Sequence, residues 1–259
     1  MRTKECTEYI CNWLSSYLNT SKSKGFVIGV SGGIDSAVTS TLAAKTGVPV
    51  LCLEMPIHQQ KEQVTRANQH INWLKSTYPN VSSACVDLSG IYDQFVETVS
   101  IDESLENHMI SLVNSRARIR MTTLYYYAQL HSYLVVGTGN KVEDFGIGFY
   151  TKYGDGGVDI SPIADLLKTE VFALGKELGV NDDILTAAPT DGLWGDNRSD
   201  EDQIGATYAE LEWAMSFDGL SSELNERQQN VLDIYTRLNA ANTHKMIPIP
   251  VCKIPNDLK

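Results

Sequence analysis

Residues 29 to 36 read Gly-Val-Ser-Gly-Gly-Ile-Asp-Ser and follow directly on the apolar run Phe26-Val27-Ile28. A short buried strand therefore runs into a turn rich in hydroxyls and glycine, and Ala37-Val38 with Leu42-Ala43-Ala44 open a helix behind it. Gly32 and Gly33 lack Cβ, so their backbone can take positive φ and bring N–H groups close to an anion. The N-terminus of the helix points its positive dipole end at the same spot, and Ser31 and Ser36 add hydroxyl donors. Gly29, Val30, Ser31, Gly32, Gly33, Ile34, Asp35 and Ser36 form a candidate phosphate cradle.

The lysine of a G-x-x-x-x-G-K-[ST] loop is missing here, and Asp35 stands in the turn instead. A carboxylate beside a polyphosphate is repulsive unless a cation lies between them, so Asp35 implies Mg²⁺. The plain alternative is an ordinary turn between strand and helix, with Asp35 as a helix cap.

Further apolar runs place strands at 48–55, 81–86 and 133–136, alternating with helical patterns at 6–18, 64–74 and 105–124. Beyond residue 165 the pattern is mainly helical, over 168–179, 200–216 and 222–241. Apolar strands alternating with helices define a doubly wound, mainly parallel α/β sheet flanked by helices, with a helical C-terminal portion. Ligands of such sheets sit beyond the carboxyl ends of the strands, where the loops after Val30 and Val136 both fall. The 259 residues are expected to form one domain, 1–259, with no repeat and no low-complexity linker.

Composition removes several functions. With 21 Lys+Arg against 32 Asp+Glu the net charge is −11, which argues against a nucleic-acid surface. No run approaches the ~20 apolar residues of a membrane span, and no secretory signal opens the chain, so a cytoplasmic location is expected. The five cysteines (6, 11, 52, 85, 252) are scattered, without C-x-x-C spacing or the setting of a nucleophile.

Two later segments carry more chemistry. Gly137-Thr138-Gly139-Asn140-Lys141-Val142-Glu143 follows the strand at 133–136 and puts a hydroxyl and a carboxylate where a nucleotide and its metal could sit. Thr151-Lys152-Tyr153-Gly154-Asp155-Gly156-Gly157-Val158-Asp159 suits close approach to a polar substrate, although Asp-Gly-Gly is also a hairpin signal. Arg116 and Arg120 share one helix face while Arg118 points elsewhere. His58, His70, His108 and His131 show no metal or triad spacing and read as surface or packing residues.

Ser31-Gly32-Gly33-Ile34-Asp35-Ser36 resembles the S-G-G-x-D-S signature of the N-type ATP pyrophosphatases, enzymes of the adenine nucleotide alpha hydrolase-like fold that cleave ATP between its α and β phosphates. With Thr151–Gly157, Asp165-Leu166-Leu167-Lys168, Ala188–Trp194 and Thr243-His244-Lys245, the chain resembles the ammonia-dependent NAD synthetases from residue 26 to about 250. That resemblance implies ATP-dependent amidation of deamido-NAD through an acyl-adenylate, without a glutaminase domain. It implies that Gly29 to Ser36, Thr138, Lys168 and Thr190 contact ATP, and that Asp35 and Glu143 hold Mg²⁺. Arg118, Lys152, Asp159, His244 and Lys245 would contact deamido-NAD.

Two of these have plain alternatives: Lys168 as a solvated lysine and Thr190 as an N-cap or turn residue. The interval from Glu143 to Lys152 is one residue longer than in similar proteins, which makes Asp144 a rival ligand. Glu54 stands where some similar proteins present an arginine. Residues 192–201 are expected to act as a lid. Similar proteins are homodimers, and the helix carrying Tyr125-Tyr126-Tyr127 could supply either that interface or core packing.

Overall fold

The computed structural model describes residues 1–99, 103–190, 199–220 and 223–259. Four parallel strands form its sheet: β1 (Phe26–Gly29), β2 (Val50–Glu54), β3 (Val81–Cys85) and β4 (Leu134–Val135). The strand order is β3-β2-β1-β4, with Phe26 opposite Val50 on one side and Leu134 on the other. After β3 the chain thus crosses to the far edge of β1. This reversal opens a crevice between the carboxyl ends of β1 and β4, the place where such sheets take ligands.

Side chains on successive strand residues point to opposite faces, and here both faces are apolar. Phe26, Ile28, Val50 and Cys52 pack into one core with α1 (Thr3–Ser21), α2 (Ile34–Lys45), α3 (Lys61–Thr77) and α6 (Lys168–Leu178). Val27, Leu51, Leu53 and Val135 pack into a second, with α4 (Ser89–Thr98) and α5 (His108–His131). The sheet is therefore covered on both sides, as the uninterrupted apolar strands require. The remaining described helices are α7 (Asp182–Leu185), α8 (Asp200–Ile204), α9 (Tyr208–Ser216) and α10 (Glu226–Met246). A third core joins α8, α9 and α10 to a π-helical turn at Val142–Ile147. Among the described residues no helix is long and apolar enough to cross a membrane.

The structure corrects the sequence reading in several places. The single helix expected over 200–216 is two, because Gly205 takes φ +86° and Thr207 begins a new helix. Glu210 accepts from Thr207 N at 2.8 Å while Thr207 Oγ1 accepts from Glu210 N at 3.3 Å, a reciprocal cap. The helix expected at 222–241 runs from Glu226 to Met246, and α4 has no counterpart among the expected elements. The glycine-rich stretch 151–157 is not a hairpin. It closes tight turns, Gly154 N to Thr151 O at 2.8 Å and Gly157 N to Gly154 O at 2.9 Å, and Val136 then pairs in parallel with Ile160.

One contact sets the position of the site. Helix α6 lies against α2 at Gly175, where a Cβ would come within 2.7 Å of Ile34 Cδ1 and 3.4 Å of Val38 Cγ2. Gly175→Val should therefore overpack this seam and cost about 1–3 kcal/mol. Urea unfolding would measure the loss, and an unchanged midpoint would show that the two helices separate freely.

Candidate active site

The turn after β1 is built by hydrogen bonds within itself. Ser31 N donates to Ser36 Oγ at 3.2 Å, Gly33 N to Ser31 Oγ at 3.2 Å, and Ser36 Oγ to Gly33 O at 3.0 Å. Gly32 takes φ +84°, and a Cβ there would meet Gln63 O at 2.7 Å and Ala67 N at 3.0 Å. Both conformation and space thus demand glycine. Gly33 is the N-cap of α2 and makes no side-chain capping bond, so Asp35 is not a cap. The first-turn N–H groups of α2 are left facing the crevice.

Asp35 looks instead toward residues far along the chain. Its Oδ2 lies 2.5 Å from Lys168 Nζ and its Oδ1 accepts from Asn140 Nδ2 at 3.2 Å. The same ammonium lies 2.9 Å from Glu143 Oε1, which also accepts from Tyr208 Oη at 2.5 Å. The Lys168 ammonium sits 4.7 Å from the centre of the Tyr208 ring. Asn140, wholly buried, accepts from the N–H groups of Val142 and Glu143 at 3.1 and 3.2 Å, tying the start of the π turn to Asp35.

Lys168 is no solvated lysine: it is 2% exposed and occupies the first position of α6, where the helix dipole disfavours a cation. Burial also favours the neutral amine, but the Asp35 and Glu143 charges outweigh it and hold the amine above the ordinary lysine value. Burial drives Asp35 upward against the pull of Lys168, with Glu143 repulsion adding to the rise. At Glu143 the burial penalty is more than offset by Lys168 and by the Tyr208 hydrogen bond, and the group stays ionised.

Glu143 and Asp144 lie in the π-helical turn Val142–Ile147, whose hydrogen-bonded rings each hold one residue more than an α turn. It is pinned by α10, where Asn239 Nδ2 donates to Gly146 O and Asn242 Nδ2 to Ile147 O, both at 2.8 Å. The turn directs Asp144 against Gly139, away from Lys168. Burial, with the charges of Glu143, Asp155 and Asp35, pushes Asp144 up to about 8.

These groups border a cavity of about 490 Å³, within the range of small-molecule sites. Residues Gly29 to Ser36, Thr138, Glu143, Lys168, Thr190 and Lys245 all line it. Arg118, Lys152, Asp159 and His244 do not. Arg118 Nη2 donates to Lys152 O at 3.3 Å, Lys152 Nζ to His244 O at 2.5 Å, and the cluster lies on the exposed surface. Asp159 accepts from Tyr125 Oη at 3.0 Å and Val135 N at 2.8 Å. Lys245 Nζ reaches Gly148 O and Tyr150 O, each at 2.9 Å. Of the expected lid, residues 192–198 lie outside the described residues, as does the motif segment 191–194.

Sequence reasoning missed Tyr208, Asn140 and Arg120. Arg120 lines the cavity and donates to Met55 O and Gln59 Oε1, both at 2.9 Å, while Arg116 lies 4.8 Å over the Tyr92 ring. The face these two arginines share therefore points inward. Glu54, 5% exposed, lines the cavity and accepts from Asn68 Nδ2 at 3.0 Å. His58 bonds Asp93, and His70 is buried against Ser40, in keeping with surface and packing roles.

The parallel sheet thus sets a lysine-free turn rich in hydroxyls at its switch point, with Asp35 of that turn and Glu143 gathered around the Lys168 ammonium, where sheets of this kind take ligands. The NAD synthase family profile matches residues 6–247. The NH(3)-dependent NAD(+) synthetase of Carboxydothermus hydrogenoformans is 35% identical over 248 residues, 93% of this chain and 94% of the relative. Two solved structures are similar over nearly their whole length. The NMN synthetase of Francisella tularensis has a TM-score of 0.85 and 34% identity, covering 99% of each chain. The NH3-dependent NAD synthetase of Campylobacter jejuni has a TM-score of 0.78 and 26% identity, covering 98% of this chain and all of that one. The chain belongs to the NAD synthase family.

Two measurements follow from this electrostatic arrangement. Lys168→Met would strand Asp35 and Glu143 without their cation and should cost about 3–5 kcal/mol in urea unfolding at neutral pH. Asp144 keeps its proton in the folded chain after the unfolded chain has released it. Its contribution is therefore present below the ordinary carboxylate range and lost as pH rises toward about 8. In metal-free buffer Asp144→Asn should flatten that decline and raise the urea midpoint at pH 8 relative to pH 5; an unaltered slope would contradict it.

Proposed function

We propose that the chain amidates the nicotinate carboxylate of deamido-NAD with ammonia, using ATP and releasing AMP and pyrophosphate. The observation that carries this reading is the convergence of Asp35, Glu143 and Lys168 at the mouth of the cradle, in a chain of the NAD synthase family. Within it, the N–H groups and hydroxyls of Gly29 to Ser36 hold the β and γ phosphates, and Thr138, Thr190 and Lys168 contact the rest of ATP. The cradle supplies donors but no cation, and Asp35 adds a negative charge, so charge neutralisation falls to cations set opposite it.

The donor set fits Mg²⁺. Asp35 and Glu143 are already close enough to share one cation, Lys168, and hard carboxylate oxygens suit a hard ion. Among the described residues no three His, Cys, Asp or Glu converge as a metal cage. Mg²⁺ commonly takes one or two carboxylates and completes its shell with phosphate oxygens and water. Glu143 rather than Asp144 is the partner of Asp35, since it alone of the two shares Lys168 with it. When bound, the ion offsets negative charge on the phosphates.

The chemistry is chiefly alignment. A nicotinate oxygen attacks the α phosphorus and pyrophosphate leaves into the cradle. Ammonia then attacks the activated carbonyl carbon, the bond to AMP breaks, and one proton is released to water. Arg118, Lys152, Asp159, His244 and Lys245 take the dinucleotide. The bonded chain from Arg118 through Lys152 to His244 supports this, because it joins the surface to Lys245 at the cavity rim. The dinucleotide then extends onto a second copy of the chain. Exposed Met109, Ile110, Tyr126 and Leu130 on α5 support a homodimer, whereas Tyr125 and Tyr127 pack inward. We take the chain as one catalytic unit of the cytoplasm that uses free ammonia.

A second reading is favoured by one observation: the protein matched at TM-score 0.85 over 99% of each chain is an NMN synthetase. On that reading the acid amidated is nicotinate mononucleotide, and the adenylate half of the dinucleotide is dispensable. Pyrophosphate release with ATP, Mg²⁺ and ammonium, run in parallel on the two acids, separates the readings by kcat/KM. We expect turnover with deamido-NAD and ammonium and little with glutamine as the nitrogen source; inactivity on both acids would reject both readings. Asp35→Asn should lower kcat/KM by about 100-fold or more while leaving the fold intact.

A further inference from the structure

Tyr208 is buried against Glu143 and Lys168 without a role in either reading. We propose that it is a positioning residue: its hydroxyl fixes the orientation of the Glu143 carboxylate for a metal ion, and its ring backs the Lys168 ammonium. The inference rests on the ATP–metal reading of the cavity.

Tyr208 is 4% exposed and opens α9, so its ring is held by the third core. Its Oη lies 2.5 Å from Glu143 Oε1 and 3.4 Å from Asp200 Oδ2. A phenol has one proton to give, and the shorter contact identifies Glu143 as the acceptor. Lys168 Nζ donates to the same Oε1 at 2.9 Å. Two donors on one oxygen restrain rotation about the last bond of Glu143. The ring closes a further side of the ammonium at 4.7 Å from its centre, replacing water there with a π face. A single side chain from the C-terminal helical layer thus fixes both Glu143, from the π turn, and Lys168, from α6.

Groups that orient a metal-binding carboxylate are commonly worth 10–100-fold in metal affinity. Tyr208→Phe keeps the ring and removes the hydroxyl. Mn²⁺ binding to the full chain, with an ATP analogue carrying a methylene between the α and β phosphorus, can be followed by electron paramagnetic resonance. The Phe variant should bind Mn²⁺ about 10-fold or more weakly, with nucleotide affinity in EDTA kept within about twofold. Tyr208→Leu removes the ring as well and should also lower nucleotide affinity in EDTA, because Lys168 loses its backing.

Wild type failing to bind Mn²⁺ with the analogue would reject the ATP–metal reading itself. Wild type binding it and the Phe variant binding equally well would overturn the proposal alone. So would an equal loss of nucleotide affinity without metal, or failure of the Phe chain to fold, since either would make Tyr208 a structural residue only.

Discussion

A buried ammonium between two carboxylates holds this site together. Lys168 pairs with both Asp35 on α2 and Glu143 on the π turn, and each of the three groups would be costly to bury alone. Their mutual neutralisation lets three elements close in chain distance to nothing of one another meet at one point. Asn140 and Tyr208 add neutral hydrogen bonds around the charges, so the cluster is held in one geometry rather than merely attracted. With all three ionised, a net of one negative charge remains in a cradle that supplies no cation of its own.

The fold serves this cluster. Strand β1 delivers the cradle, and the crossing after β3 places Gly137 to Asn140 beside it across the switch point. Helix α6 docks on α2 through Gly175, where the absence of a side chain lets the two axes approach and brings Lys168 to Asp35. The C-terminal helices, which add nothing to the sheet, bury the π turn and supply Tyr208. The π turn there carries Glu143, which bonds Lys168, and Asp144, which lies against Gly139.

The cradle was readable because its meaning is local. Glycines that permit positive φ, hydroxyls within a few residues and a helix start all lie in one segment, and hydrogen bonds inside residues 31–36 complete it. Strands β1 and β2 were readable for a similar reason, being short, continuous and buried, whereas β3 at the sheet edge exposes Ser82 and Cys85. Glu143 and Lys168 were reached through resemblance, which set Asp35 and Glu143 on one metal ion but did not say that Lys168 joins them. Arg118 and Arg120 show the limit of periodicity. It separates the two faces of α5 but not inward from outward, and the inward arginine is Arg120. Tyr208 offered no signal at all, being one aromatic among apolar helix residues.

The sequence alone therefore determined the parallel α/β class, the anion-binding turn after β1 and the need for a cation beside Asp35, because each follows from neighbours in the chain. The tertiary structure decided which cation that is in the free chain, which carboxylate shares it and which side chains hold them still. Those choices are set by burial, since a charge taken out of water must find an opposite charge within a few ångströms, and chain order does not record where that partner lies.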